Sequence, residues 1–153
     1  MTTFDLFQLS DVPLNIGDLA ASLCSTHAGA LVSFEGRVRD TNDGLLVVRL
    51  EYEAYEELSL REGNAVVREA VRGVIAARCV HRVGPLSVGD VAVWAGVIAG
   101  HRDEAFRACR FIIDEVKKRV PIWKKEYYGN GSSKWIGLGS QSLAERNLSQ
   151  DLS

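Results

Sequence analysis

The segment Pro121-Ile122-Trp123-Lys124-Lys125-Glu126-Tyr127 sets two adjacent lysines beside a tryptophan, just after a proline that must end any helix before it. Upstream, Gly100-His101-Arg102 stands where a very apolar strand gives way to that same helix. Lysine and arginine clusters hold phosphates and carboxylates, and a lysine crowded by other cations can lose its proton and act as a base or nucleophile. A helix framed by His-Arg at its start and Lys-Lys past its end suggests a site for an anionic substrate. The competing reading is a solvated basic face, the commoner origin of a Lys/Arg cluster. Placement at element junctions favours the site.

The framed helix is written in its apolar stripe, Ala105, Phe106, Cys109, Ile112, Ile113 and Val116. Lys117 falls near its end and Lys124 about two turns of chain later, so both could face one pocket. Strand alternation over Ile122 to Tyr128 sends Lys124 and Lys125 to opposite faces, and only one of them should belong to the site. The helix start offers free N–H groups to an anion, unless Asp103 and Glu104 occupy it as capping acids. His101 could shuttle protons or serve as a hydrogen-bonding scaffold residue. His27 and His81 have no partners in the sequence.

The supporting elements follow from period and punctuation. Val91 to Ala99 is apolar on both faces, as in the centre of a sheet. Ala30 to Arg39 alternates, with Ala30, Val32, Phe34 and Val38 on one side and Ser33, Glu35, Arg37 and Arg39 on the other. Arg37 and Arg39 can therefore converge on one ligand, or merely keep an edge strand soluble. Asp40 to Gly44 is a turn, and Leu46 to Glu53 a strand with Leu46, Val48, Leu50 and Tyr52 on one face. Glu56 to Arg78 has helical period, with a stripe of Leu58, Val67, Ala70, Val71, Val74 and Ile75. Thr3 to Leu9 and Cys79 to Val83 read as strands, and Asn15 to Cys24 as a short helix. Gly129-Asn130-Gly131 turns the last strand into Lys134-Trp135-Ile136. One α+β domain over residues 1–136 is expected, followed by a polar tail, 137–153.

Composition bounds the function. The chain has 153 residues, 46% hydrophobic and 25% charged, typical of a soluble globular protein. Net charge is −2, so no global field attracts nucleic acid. Residues 101–125 nonetheless carry eight Lys/Arg against four acids, while 51–62 carry five Glu against one Arg. Such asymmetry suits a small anion at one place. Cys24, Cys79 and Cys109 lack disulfide or zinc spacing, and Cys109 lies on the helix stripe as a core residue. The N-terminus shows no signal peptide, and the longest apolar run is about half a membrane span. No metal site or cofactor is indicated, and a reducing cytoplasm is the expected compartment.

Gly36-Arg37-Val38-Arg39, Leu50-Glu51-Tyr52-Glu53-Ala54-Tyr55, His81-Arg82-Val83-Gly84, Gly100-His101-Arg102, and Lys117 through Pro121-Ile122-Trp123-Lys124-Lys125-Glu126 share an order and spacing with a known family. Over residues 29–136 the chain resembles the catalytic (large) subunit of molybdopterin synthase. The resemblance implies an α/β hammerhead fold with a mostly antiparallel sheet and two long helices. It implies a homodimer at the core of a heterotetramer, with a small ubiquitin-like sulfur carrier at each end. The implied activity is sulfur transfer from the carrier's Gly-Gly thiocarboxylate to cyclic pyranopterin monophosphate, giving the dithiolene of molybdopterin. Lys117 and Lys124 are then the catalytic candidates, with Lys124 also binding substrate. Arg39, His101 and Arg102 would hold the phosphate, with the dimer interface as a possible boundary between them. Some relatives carry a further basic residue after the tryptophan matching Trp135; Gly137-Leu138-Gly139-Ser140 stands here, and Arg146 is the only substitute in view.

Two other classes compete. A docking module for a ubiquitin-like partner would keep the groove without the chemistry, but it has no need of both Lys117 and Lys124. RNA binding through residues 101–125 fits poorly with the negative net charge and the lack of an aromatic stacking pattern.

Overall fold

The computed structural model describes residues 6–137; the expectations placed on residues 1–5 and on the tail from 138, Arg146 included, lie outside the described residues. In chain order the elements are β1 (Phe7–Ser10), α1 (Ile16–Ala21), β2 (Ala30–Arg37), β3 (Thr41–Asn42), β4 (Leu45–Ala54), α2 (Glu56–Val71), β5 (Ala76–Arg82), β6 (Gly84–Ser87), β7 (Val91–Ala99), α3 (Arg102–Arg119), β8 (Ile122–Tyr128) and β9 (Ser133–Gly137). The result is the expected α+β fold with two long helices and mostly antiparallel strands. It has two sheets.

The first sheet has the order β1-β5-β7-β2, and only the β1–β5 pairing is parallel. β7 lies inside it, as its apolar faces require. Trp94, Ala95, Val97 and Ala99 are all fully buried. The two long helices cover one face of this sheet, closing a core of Phe7, Val66, Val67, Cys79, Val97, Ala105, Cys109, Ile112 and Val116. The short α1 covers the other face, where Leu23 and Ile98 pack on Trp94. In the second sheet β4 pairs with β8 on one side and with β3 and β6 on the other, and β9 forms an edge beside β8. Val38, Leu50, Leu86 and Ala92 join the two sheets. Among the described residues no helix is long and apolar enough to cross a membrane.

Four expectations need correction. A bulge between Val47 and Arg49 reverses the facing of β4. Val47 and Leu50 are therefore buried, while Leu46 and Val48 are 57% and 50% exposed. β2 has a similar shift at Gly36/Arg37 and ends at Arg37, so Arg39 lies past the strand; Phe34, assigned to the inner face, is 42% exposed. The helix expected to reach Arg78 ends at Val71, because Gly73 stops it and the β-branched Val74-Ile75 leads into β5. Its buried stripe is Ser59, Gly63, Val66, Val67 and Ala70, with Leu58 outside. On α3, Ala108 is buried in place of Phe106, which is 62% exposed. A helix rotates about 100° per residue, so a one-residue error in the stripe turns a ring to solvent.

Candidate active site

Strand and helix directions sort the predicted site residues into two groups. β7 begins beside β2's end, where the Val38 N–H donates to the Asp90 carbonyl at 3.0 Å. It finishes beside β2's start, where Ala30 pairs with Ala99. At roughly 3.3 Å per residue this strand is about 30 Å long. Arg39 therefore lies near one end of it, and His101 and Arg102 lie at the other. α3 then runs back along the sheet, and its 1.5 Å rise puts Lys117 about 22 Å from Arg102 along the helix axis. Val120 and Pro121 turn the chain into β8, which carries Lys124. Arg39, Lys117 and Lys124 thus belong to the end of the molecule where the second sheet is attached. His101 and Arg102 do not reach it within one chain.

Pairing distinguishes the candidates from ordinary surface cations. α3 carries six Lys and Arg residues. Arg107 pairs with Asp103, Arg110 with Asp114, and Lys118 with Glu115, while Arg119 is gripped by Glu69 with Glu62 and Glu115 nearby. Arg102 and Lys117 have no ion pair or hydrogen bond from their side chains among the described residues, and both are exposed. The helix start is less open than its free N–H groups suggest. Glu104 reaches back to accept from the His101 backbone N–H at 3.2 Å, a capping role for this acid.

Lys124 is held differently. Its Nζ lies 3.1 Å from Oε1 of Glu126, two residues along the same face of β8. Glu126 is 2% exposed and also accepts from the Asn42 amide, at 3.2 and 3.0 Å, and from the Tyr128 hydroxyl at 3.0 Å. Burial pushes this carboxyl's pKa up, but the hydrogen bonds from Asn42, Lys124 and Tyr128, with the Lys124 charge, outweigh it and hold the group below its ordinary range. Tyr52, opposite Lys124 on β4, is pushed up to about 12 by burial and then by the Glu126 charge. Its ring meets His81 edge-on at 4.8 Å. The Nδ1 of His81 lies 2.7 Å from the Arg82 carbonyl. Burial lowers the His81 pKa to about 4, partly opposed by that hydrogen bond, so the imidazole is neutral and Nδ1–H donates.

Lys125 turns to the opposite face, as alternation requires. Its Nζ lies over the rings of Tyr127 and Trp135 at 5.1 and 5.5 Å, and Arg49 stacks on Tyr127 at 3.6 Å. Of the adjacent lysines, only Lys124 shares a buried polar cluster. Glu126, Asn42 and Tyr52 went unnoticed in the sequence as site residues. The i, i+2 spacing of Lys124 and Glu126 on a strand was the available signal for the first. Asn42 read only as a turn former. Cys109, raised to about 11 by burial, and the fully buried Cys79 are packing residues. No group of three His, Cys, Asp or Glu gathers as a metal site among the described residues.

Residues 9–119, which include Arg39, His101, Arg102 and Lys117 and end before β8, match the family described as MoaE protein. The chain belongs to that family. It is 39% identical over 146 residues to the molybdopterin synthase catalytic subunit of Nostoc sp., covering 94% of this chain and 88% of the relative. It is 44% identical over 124 residues to the catalytic subunit of the same name in Pyrococcus abyssi, covering 80% and 83%. Among solved structures, molybdopterin synthase from Staphylococcus aureus superposes with a TM-score of 0.81 at 34% identity, over 86% of this chain and 97% of that one.

Proposed function

We propose that this chain is the catalytic subunit of a molybdopterin synthase, transferring sulfur from a thiocarboxylated ubiquitin-like carrier to cyclic pyranopterin monophosphate. What supports this reading is a MoaE-family fold whose element order sets Arg39, Lys117 and Lys124 toward the same end, with no ion pair to Lys117 among the described residues. Both ligands are anionic, so a cationic centre serves each of them. The carrier's thiocarboxylate sulfur forms a C–S bond to a side-chain carbon of the pterin as that carbon's C–O bond breaks. The oxygen leaves with the opened phosphate at an ester carbon, or as water at a carbonyl carbon. A separate water then cleaves the acyl–sulfur link. The carrier leaves as a carboxylate, and the sulfur stays on the pterin. Two successive carriers complete the dithiolene. Lys117, with no carboxylate partner among the described residues, assists at the acyl–sulfur linkage, and Lys124 binds the pterin or its intermediate.

His101 and Arg102 enter this scheme from a second copy of the chain. About 30 Å of β7 separates them from Arg39, so one phosphate can contact all three only across a dimer. Exposed Leu31 and Phe34 on β2, with Leu46 and Val48 on β4, supply apolar surface of the kind that dimers bury. A slim Gly-Gly tail needs a groove with strand-edge partners and a cationic end. β8 and the hairpin to Trp135, which is 41% exposed, run from the lysine centre and fit that need. The assembly is then a homodimer with one carrier at each distant end, working in the cytoplasm.

Lys117→Ala tests the assignment. It should abolish most dithiolene formation while the carrier still binds, because the lysine contributes only part of the binding energy. Activity close to wild type would refute it. Lys117→Arg keeps the charge but cannot readily supply a neutral amine, and full activity in that variant would reduce Lys117 to a simple charge.

A further inference from the structure

We infer that Asn42 and Glu126 form a clasp that fixes the β3–β4 hairpin, and with it the chain next to Arg39, to the ammonium of Lys124. The inference rests on the reading of Lys124 and Arg39 as pterin-binding residues. Asn42 and Glu126 are positioning residues in it, since neither is assigned a contact with the reacting atoms.

The geometry is that of a hub with three donors. An ionised carboxylate has about four acceptor positions. Oε1 of Glu126 receives Lys124 at 3.1 Å and Asn42 at 3.2 Å; Oε2 receives Asn42 at 3.0 Å and Tyr128 at 3.0 Å. With the Asn42 nitrogen shared between both oxygens and two further donors beside it, Glu126 is suited to holding groups in place. Only the NH₂ of the Asn42 amide can face an ionised carboxylate, which fixes its orientation. Tyr128 comes from the same strand as Glu126. Among the described residues, Asn42 is the one partner from a distant element, 84 residues away in sequence.

That distant element has few other ties. β3 is two residues long and pairs only with Leu45 and Leu46. Its turn holds Asp43 at φ 49° and Gly44 at φ 77°, the left-handed pair of a tight two-residue hairpin. Val47 N–H donates to the Asp40 carbonyl at 2.8 Å and closes its base. Leu45 and Leu46 are exposed, so the hairpin has little core of its own. A two-stranded hairpin is marginal in isolation. The Gly129 N–H donates to the Leu46 carbonyl at 2.9 Å and holds the hairpin's second strand to β8. On its first strand, which begins two residues after Arg39, the Asn42 bond to a buried charge is the side-chain tie among the described residues.

Asn42→Ala in the full chain is the test, because Asn42 lies at the rim and its truncation leaves the core intact. Losing one hydrogen bond to a charged group corresponds to about a tenfold effect or more. The KM for the pterin phosphate should rise by about tenfold, with carrier affinity near wild type and only a small loss of thermal stability. Amide exchange at Val47 should speed up by a similar factor. Asn42→Asp, which sets two carboxylates together, should be worse than Asn42→Ala. A pterin KM within about twofold of wild type in Asn42→Ala overturns the clasp, whatever the exchange rate does. If wild type itself forms no dithiolene with carrier and pterin, the functional reading fails instead; acceleration of Val47 exchange by both Asn42→Ala and Glu126→Gln then still supports the clasp, and unchanged exchange in Asn42→Ala overturns it.

Discussion

Replacing His81 with Phe should remove a defined part of this protein's acid sensitivity. The imidazole is 8% exposed, packs edge-on against Tyr52, and donates from Nδ1 to the Arg82 carbonyl. Its pKa falls from 6.5 to about 4 on folding. Above pH 6.5 both the folded and unfolded chains hold it neutral, and it contributes no slope. Between pH 6.5 and 4 the unfolded chain takes a proton that the native site refuses, so stability falls as pH falls. At about 1.4 kcal/mol per unit, the loss is about 2 kcal/mol at pH 5 and about 3 kcal/mol by pH 4. His81→Phe keeps a ring against Tyr52 and deletes the titration. It also loses the bond to Arg82, about 1 kcal/mol at every pH, which shifts the curve without tilting it. Urea unfolding, followed by fluorescence of the fully buried Trp94, should be run for both proteins from pH 7.5 to 5. That window stays above the ordinary glutamate range. The depressed carboxyl of Glu126 gives up its stabilising contribution only as pH falls below about 4.5, and it does so in both proteins. The stability difference between the two proteins should shift by about 2 kcal/mol across the window, in favour of the variant at pH 5. Parallel curves would refute the buried neutral histidine.

Two further outcomes are expected. Gly63→Ala adds a Cβ that would land on the Phe7 ring inside the helix–sheet core, so denaturant unfolding should show a net loss of about 1–3 kcal/mol despite alanine's better helix propensity. Light scattering should find a dimer of this chain at micromolar concentration and two carriers added per dimer; a persistent monomer that binds no ubiquitin-like partner would overturn the assembly.

Much of this fold was legible in the sequence because period and punctuation are local. Gly-Asn-Gly, Pro121 and the doubly apolar Val91 to Ala99 placed the last hairpin, the end of α3 and the central strand. The errors arose where one extra residue changes a face. The bulge at Val47/Arg49 leaves no compositional mark, yet it changes the facing of β4, burying Val47 and Leu50 while Leu46 and Val48 are exposed. The site was half legible. Lys117, Lys124 and Arg39 stood out in the sequence by residue type and by motif, and the order of β2, α3 and β8 sets them toward one end of the chain. The distance from Arg39 to His101 could not be read, because it depends on the antiparallel pairing of β2 with β7. The Glu126 hub was hidden for a related reason: its Asn42 partner arrives through the pairing of β3, β4 and β8, which no short window of sequence contains.

The central claim is the reaction itself. Purified chain should be mixed with a thiocarboxylated carrier ending in Gly-Gly and with cyclic pyranopterin monophosphate, and the pterin product followed by mass spectrometry. The account predicts a pterin that gains two sulfurs as two carriers per product return to carboxylate form. A carrier that binds yet keeps its thiocarboxylate, with the pterin unchanged, would contradict it.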